Sequence, residues 1–211
     1  MDLINQTLLE NIKNSISDVV PKKKIGIAFS GGVDSTLVSK ICTDMGFDVV
    51  LLTIGFSESH DIIFSKEVNE HLNYSHYVLE IDPETFPEIT SNIHKVIDTD
   101  NLSWNENCIA FHYVSKLAKS LNLDVVITGN GIDELFCGYN AYREAFIGGQ
   151  TKINEVMNSK LENELKMMKA VNVIASEFDV QILQPLLSAK FIEYAKTIPI
   201  TEKIHSSDDL Y

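Results

Sequence analysis

The sequence has few cationic side chains and almost no arginine. Arg143 is the only arginine in 211 residues, and 30 acidic residues outweigh 17 basic ones to give a formal net charge of −13. Binding to a phosphate backbone needs a cationic surface, and arginine is the preferred side chain for bidentate phosphate and base recognition. The composition therefore argues against a nucleic-acid partner. The three lysines at residues 22–24 are the one candidate basic patch, and we interpret them as a solvated approach to a strand.

Paired cysteines and long hydrophobic runs are also missing. Cys42, Cys108 and Cys137 are far apart in the sequence and form no CxxC pair, which argues against a zinc or iron–sulfur site. Reduced thiols predict an intracellular protein, which we assign to the cytoplasm. The apolar runs are too short to span a bilayer, and the N-terminus lacks the basic start and apolar segment of a secretion signal. We therefore expect no membrane partner.

What the sequence does contain is an alternation of strand-like and helix-like segments. Short apolar runs bounded by turn residues predict strands at residues 25–30, 48–54, 76–81 and 123–128. Helical periodicity fills the segments between them, which is typical of βαβ units. The predicted fold class is therefore α/β, a Rossmann-like parallel sheet with helices on both faces. From about residue 140 the strand pattern stops, and helix-periodic sequence predicts a helical C-terminal extension.

A glycine-rich turn, SGGVDS at residues 30–35, joins the first predicted strand to the next helix. Gly31 and Gly32 have no Cβ, so the backbone there can turn sharply and approach a bulky anion closely. The first N–H groups of the helix have no intrahelical acceptor and, with the helix dipole, favour an anion. The GK[ST] ending of a Walker loop is missing, as is the GxGxxG pattern. The turn is either a phosphate-binding loop or an ordinary strand-to-helix connection.

A second glycine-bracketed segment, TGNGIDELFCGY at residues 128–139, follows the fourth predicted strand. Ligands of open parallel sheets bind beyond the carboxyl ends of the strands. Because both segments follow strands, we expect them at the same edge of the sheet. That edge is the correct side for the two segments to share a ligand.

The two segments resemble the signatures of a known group of enzymes. SGGVDS is similar to the pyrophosphate-binding loop of the ATP pyrophosphatase superfamily, whose members have an adenine nucleotide alpha hydrolase-like fold and cleave ATP to AMP and pyrophosphate. GNGIDELFCGY resembles the signature of asparagine synthetases, and further similarity runs through LLENIKNSI, LLTIGFSES and QPLLSAKFIEYAKTIP. The resemblance covers nearly the whole chain and matches only the synthetase domain of that family.

The resemblance implies an ATP-dependent, AMP-forming ligase of the asparagine synthetase type. A carboxylate, with aspartate as the candidate, would attack the α-phosphorus of ATP, pyrophosphate would leave, and ammonia or another amine would attack the acyl-adenylate. Mg²⁺ would stabilise the departing charge, and the family pattern assigns Asp34 and Asp133 as its ligands. Each aspartate alone has another interpretation, because Asp34 can be a first-turn helix acid and Asp133 a turn residue.

The same resemblance assigns the other site residues. The ATP-binding set is Ala28, Phe29, Ser30, Gly31, Gly32, Asp34, Ser35, Ile54, Thr128 and Gly129, and the catalytic set is Asn130, Asp133 and Glu134. Glu134 and Tyr139 match signature positions, where they either contact substrate or hold the second segment in shape. The predicted organisation is one synthetase-like domain over residues 1–211, with an N-terminal helix at 1–20, a nucleotide-binding core at 21–139 and the helical extension at 140–211.

The chain departs from the family pattern at several positions. Asn130 stands where the family has glutamate, and an amide cannot accept a proton from an attacking amine as a carboxylate can. The late signature is altered at Gln181, Leu183 and Ser188, and Asn172 falls where the family has Asp or Asn. We expect Lys203 to be a surface lysine, or else a substitute for a pyrophosphate-contacting lysine of the family.

The source of ammonia and the reaction type each leave alternatives open. The synthetase-like region leaves no room for a glutaminase domain before it, so we expect free ammonia or a separate ammonia-supplying partner. One alternative is another ATP pyrophosphatase, such as a tRNA thiolase or NAD synthetase, although the acidic composition and the second signature weigh against both. The other is an ATP-binding regulatory protein without catalytic activity, which Asn130 and the altered late signature favour.

Overall fold

A five-stranded parallel sheet organises the fold in a computed structural model that describes residues 3–206. The strands are β1 (Lys24–Ala28), β2 (Asp48–Gly55), β3 (Ser75–Glu80), β4 (Val125–Ile127) and β5 (Gln181–Leu183), in the order β3-β2-β1-β4-β5. Every neighbouring pair is parallel. The middle residues of β1 and β2 and all three residues of β4 are buried and, except for Thr53, apolar, as the continuous runs of the sequence indicate. The predicted α/β class is confirmed.

Nine helices lie between and beyond the strands in the described part of the chain. They are α1 (Leu3–Val19), α2 (Val33–Asp44), α3 (His60–Leu72), α4 (Phe86–Ile97), α5 (Leu102–Ser120), α6 (Ile132–Phe136), α7 (Asn140–Ile147), α8 (Gly149–Ser176) and α9 (Ala189–Thr197), with 3₁₀ turns at Pro185–Leu187 and Ile200–Glu202. The chain steps from β1 through β2 to β3 in one direction and then crosses back to β4. Because connections between parallel strands are right-handed as a rule, helices before and after such a reversal belong to opposite faces of a sheet. Within residues 3–206, no helix is both long and apolar enough to cross a membrane.

The reversal of strand order falls between β1 and β4. Gly26 pairs with Val126 and Ile27 with Ile127, so the two strands run side by side and end at the same level. The chain leaves β1 towards β2 on one side, whereas β4 is followed by β5 on the other. Such a switch point opens a crevice outside the carboxyl ends of its two strands. The two glycine-rich segments of the sequence begin directly after these strands.

The described chain divides into two compact units. The sheet unit comprises Val20–Thr128 and Met167–Leu183, and the helical unit comprises the described residues up to Val19, Gly129–Lys166 and the described residues from Gln184. The C-terminal region is helical as predicted, with one short strand, β5, that the pattern did not indicate. The division into residues 1–20, 21–139 and 140–211 stays a prediction.

Asn172 of α8 supports the short strand β5. Its Oδ1 accepts a hydrogen bond from the Ile182 N–H at 3.0 Å, and its Nδ2 donates to the Ile182 carbonyl at 3.1 Å. One side-chain amide thus satisfies both backbone groups of a residue in an edge strand. Edge strands present unpaired backbone groups, and this amide covers part of that edge. The contacts of Asn172 are therefore structural.

Candidate functional site

The first loop turns at Gly31. Its backbone has a φ of +82°, a left-handed conformation that favours glycine. A Cβ here would lie 3.1 Å from both the Cα of Ser65 and the Cδ1 of Phe64, so α3 leaves little space for a side chain. The next residue, Gly32, is the N-cap of α2. Glycine at position 31 is therefore required by the turn that places the N-terminus of α2 beyond the carboxyl end of β1.

Hydroxyl groups line the same turn. Ser30 Oγ accepts a hydrogen bond from the Gly32 N–H at 3.2 Å and lies 3.4 Å from the Oγ of Ser35. Ser35 Oγ donates to the Gly32 carbonyl at 3.1 Å, and Thr36 Oγ1 donates to the Gly31 carbonyl at 3.2 Å. A hydroxyl group rotates freely and can turn its proton towards an incoming anion. These groups, beside the first turn of α2, are a donor set that fits a phosphate chain.

The residues assigned to the nucleoside lie beside this turn in the sheet unit. Ala28 and Ile54 are half-buried, and Phe29 is buried. The Thr53 hydroxyl donates to the Phe29 carbonyl at 2.6 Å and lies 2.8 Å from the Nε2 of His76. Thr53 and His76, which the sequence did not single out, therefore position the backbone that leads into the first loop.

The second loop is shaped by the buried carboxylate of Glu134. One of its oxygens accepts a hydrogen bond from the Gly131 N–H at 3.0 Å, and the other accepts one from the Tyr139 hydroxyl. The Tyr142 hydroxyl donates to the Glu134 carbonyl at 2.5 Å. Burial raises the pKa of Glu134, and the hydrogen bonds oppose that shift. These contacts support the loop-shaping interpretation of Glu134 and Tyr139, and their contact with substrate stays a prediction.

Asp133 lies against the glycine that closes the same loop. A Cβ on Gly138 would come within 1.9 Å of Asp133 Oδ1, so a residue with a side chain could not pack there with the aspartate in this position. The Gly138 N–H donates to the Asp133 carbonyl at 3.0 Å. The carboxylate is half-buried, and this burial raises its pKa. The Gly-Tyr ending of the second signature thus has a physical reason, which is to leave room for Asp133.

A buried carboxylate that the sequence did not single out lies beside Asn130. The Asn130 Nδ2 donates to the Oε1 of Glu164, on α8, at 2.6 Å. Glu164 is 6% exposed. Burial raises its pKa to about 7, the nearby charges of Glu134 and Asp133 add to the shift, and the hydrogen bond from Asn130 opposes it. The amide at position 130 therefore has a carboxylate as its partner.

Replacing Glu164 by glutamine is expected to stabilise the protein at neutral and alkaline pH. The pKa of this carboxyl is about 7 in the folded chain, against an ordinary value of 4.5. The folded state therefore holds a proton that the unfolded state releases, and stability falls as pH rises from 4.5 to 7. Above pH 7 the penalty is constant, at about 3 kcal/mol. Urea unfolding of wild type and E164Q at a series of pH values measures it.

The matched control for that experiment is E162Q on the same helix. Glu162 is exposed and pairs with Lys166 at 2.6 Å, and this hydrogen bond lowers the pKa of Glu162. Removing its charge is expected to leave the fall in stability between pH 4.5 and 7 unchanged. If E164Q and wild type show the same dependence of unfolding free energy on pH, then Glu164 does not carry the shifted proton.

Lys203 is buried, so the expectation of a surface lysine is wrong. The side chain is 6% exposed, and its Nζ donates to the Ala195 carbonyl at 2.6 Å. The same nitrogen lies 5.5 Å from the ring centroid of Phe136, within the range of a cation–π contact. Burial lowers the pKa of Lys203. These contacts hold α9 and α6 within the helical unit, which is a structural role.

The predicted site residues fall into two groups. The sheet unit contains Ala28, Phe29, Ser30, Gly31, Gly32, Asp34, Ser35, Ile54 and Thr128, and the helical unit contains Gly129, Asn130, Asp133 and Glu134. Within the sheet unit, the first loop and Thr128 follow the adjacent strands β1 and β4. Within residues 3–206, no group of three or more His, Cys, Asp or Glu side chains is arranged to hold a metal ion. A Mg²⁺ ligand set of Asp34 and Asp133 therefore stays a prediction that needs phosphate oxygens or water as further ligands.

Comparison with known proteins shows which family and which relatives this chain resembles. The asparagine synthase family model matches residues 7–178. An asparagine synthetase (glutamine-hydrolyzing) from Methanocaldococcus jannaschii is 29% identical over 199 residues, covering 92% of this chain and 36% of the relative. Asparagine synthetase B (glutamine-hydrolyzing) from Escherichia coli K12 is 22% identical over 215 residues, covering 95% of this chain and 38% of the relative. The chain thus spans somewhat more than a third of the length of these two relatives.

Among solved structures, NMN synthetase from Francisella tularensis aligns with 100% of this chain and 98% of its own, at 18% identity and a TM-score of 0.46. The family match covers well over half of the chain and includes both loops. The chain belongs to the asparagine synthase family.

Proposed function

We propose that this protein is an ATP-dependent, AMP-forming carboxylate–amine ligase. The observation that carries the proposal is the position of the first loop, a hydroxyl-lined turn around Gly31 at the switch point between β1 and β4. Parallel sheets bind their ligands at such a point, and the start of a helix there favours a phosphate chain. The family of the chain supports the same function.

In the proposed first step, the substrate carboxylate attacks the α-phosphorus of ATP and pyrophosphate leaves. The phosphates would lie against the hydroxyls of Ser30 and Ser35 and the first turn of α2, which supply donors where negative charge accumulates. Asp34 and Asp133 would hold Mg²⁺. When bound, this ion neutralises charge on the departing pyrophosphate. Phe29 and Ile54 would contact the nucleoside, and Thr128 and Gly129 the adenylate.

In the second step, an amine attacks the acyl carbon and AMP leaves. We propose aspartate as the carboxylate and ammonia as the amine, because the named relatives are asparagine synthetases. The ammonia would come from solution or from a separate protein that supplies it. Asn130 lies in the loop that follows Thr128 and would be next to the reacting groups.

A thiol-dependent alternative, such as tRNA thiolation, is less well supported. All three cysteines are buried. Burial raises the pKa of Cys42 to about 12 and the pKa values of Cys108 and Cys137 to about 11. A thiol reacts as its thiolate, so none of these groups is activated for sulfur transfer at neutral pH.

An isotope-exchange experiment tests the proposal. The protein is incubated with ATP, Mg²⁺ and labelled pyrophosphate, and candidate carboxylates are added one at a time. We expect label to enter ATP only when the correct carboxylate, with aspartate the first to test, is present. Tight ATP binding without exchange for any carboxylate would contradict the ligase and support an ATP-binding regulatory protein.

A further inference from the structure

The carboxylate of Glu164 is buried without the partners that normally accompany such a group. An ionised carboxylate inside a protein is costly unless a cation or several hydrogen-bond donors compensate it. Among the described residues, the hydrogen-bond partner of Glu164 is the Asn130 amide, which supplies one neutral donor at 2.6 Å. The carboxylate also faces two further acids, Glu134 and Asp133. The arrangement costs stability and therefore calls for another explanation.

Glu134 shows what a structural carboxylate in the same region looks like. Both of its oxygens accept hydrogen bonds that close the second loop, from the Gly131 N–H and the Tyr139 hydroxyl. Glu164 closes no loop, since its Oε1 accepts only from a side chain, that of Asn130. The Asn130 side chain belongs to the loop that leaves β4, where the substrate is proposed to bind. The hydrogen bond from Asn130 thus connects the carboxylate of Glu164 to the loop of the proposed reaction centre.

Glu164 is also unusual in its position on α8, because it lies on the apolar face of that helix. The buried face of this helix is formed by Ile153, Met157, Leu161, Met168 and Val171. Glu164 occupies the same face, at the helical spacing that would otherwise hold another apolar side chain. A leucine or methionine there would pack without a desolvation cost.

We propose that Glu164 is the proton acceptor for the attacking amine, and that Asn130 is the positioning residue that holds its carboxylate. This inference rests on the proposed ligase function and assigns a residue to its second step. An amide at position 130 cannot accept a proton, but it can fix a carboxylate that does.

The lone pair of ammonia forms the C–N bond to the acyl carbon of the adenylate, and the nitrogen becomes positively charged. Glu164 takes one proton from that nitrogen. The C–O bond to the phosphate breaks, and AMP leaves with the electron pair. The products are an amide, AMP and a protonated Glu164, which returns its proton to water.

The environment of Glu164 suits this role near neutral pH. The titratable groups that face it are Glu134 and Asp133 from α6 and Tyr139 from the end of the second loop. Burial is the main reason that the pKa of Glu164 is raised to about 7, and the charges of Glu134 and Asp133 add to it. A general base works well with a pKa in this range. Lys160, one turn earlier on α8, has its Nζ 4.8 Å from the Tyr139 ring centroid.

The test separates adenylation from amide formation in E164Q. Carboxylate-dependent pyrophosphate exchange reports the first step, and amide formation from ammonia reports both. We expect E164Q to keep exchange within about threefold of wild type and to lose amide formation by about 100-fold or more. E162Q, on the exposed side of the same helix, should match wild type in both assays.

A double variant tests the pairing directly. In N130E/E164Q the carboxylate and the amide change places, and the hydrogen bond between the two positions can still form. We expect this variant to form the amide at least about tenfold faster than E164Q does. The rate of amide formation, divided by the concentration of unprotonated ammonia, should increase as the pH rises through about 7 in wild type. In E164Q this increase should be absent.

The outcomes distinguish the two proposals. Wild-type protein without carboxylate-dependent exchange would overturn the ligase function and this inference with it. Exchange in wild type together with unchanged amide formation in E164Q would overturn the inference alone. Equal loss of exchange and amide formation in E164Q would show that Glu164 acts in adenylation or in folding, and would also overturn it.

Discussion

Replacing Asp34 by asparagine should lower carboxylate-dependent pyrophosphate exchange at least about 100-fold while leaving the fold intact. Asp34 is half-buried in the first turn of α2, directly after the glycine turn. Asparagine has nearly the same size but no negative charge, so it would bind Mg²⁺ weakly. The exchange assay, repeated over a range of Mg²⁺ concentrations, measures the loss, and circular dichroism checks the helical content.

The control for this prediction is D61N, because Asp61 lies in the first turn of α3. An acid there also interacts favourably with the helix dipole, so D61N reports how much a first-turn acid contributes to stability alone. We expect D61N to exchange like wild type. If D34N retains full exchange, or if both variants lose it equally, the assignment of Asp34 to the metal is wrong.

The strands and the first loop could be predicted from the sequence because their signals are local. The runs at β1 and β2 are apolar and continuous, which parallel strands covered on both faces require. Gly31 and Gly32 mark the end of β1, and the structure places a left-handed residue at Gly31. A backbone requirement of this kind is visible in the sequence, since only glycine adopts it readily.

The strand β5 and the position of Glu164 could not be predicted in the same way. β5 has three residues, Gln181–Leu183, and a run that short has no measurable period. Its pairing with β4 is a contact between distant parts of the chain. Glu164 is 34 residues from Asn130 and lies in a helix rich in charged side chains. A local signal does exist, because Glu164 interrupts an apolar face, but its partner cannot be read from spacing.

The Asn130 substitution has a different meaning once its neighbour is known. From the sequence, an amide at this position removes a proton acceptor and favours a protein without catalytic activity. In the fold, the amide donates to a buried carboxylate from α8, so an acid is still present next to the second loop. A substitution at one position can therefore be compensated from a residue that no motif includes. The exchange and amide assays decide between the two interpretations.

Replacing Gly131 by alanine is expected to destabilise the protein by about 3 kcal/mol. Gly131 has a φ of +109°, where an L side chain is strained by on the order of 1–2 kcal/mol. Its Cβ would lie 2.9 Å from the Leu186 carbonyl oxygen and 3.1 Å from Leu187 Cδ2. A backbone oxygen cannot move aside as a flexible side chain can. The resulting overpacking costs a further amount of about 1–3 kcal/mol. Urea unfolding of the protein without ligand measures the sum.

The matched control is G149A, because Gly149 lies in the same unit and also has a positive φ, +78°. A Cβ on Gly149 would meet nothing within 4 Å, so its replacement carries the backbone strain without the steric contact. We expect G149A to lose on the order of 1 kcal/mol. The difference of about 2 kcal/mol would then measure the close approach of the second loop to Leu186. Equal losses in the two variants would show that the left-handed backbone alone, and not the packing of this loop, requires glycine at position 131.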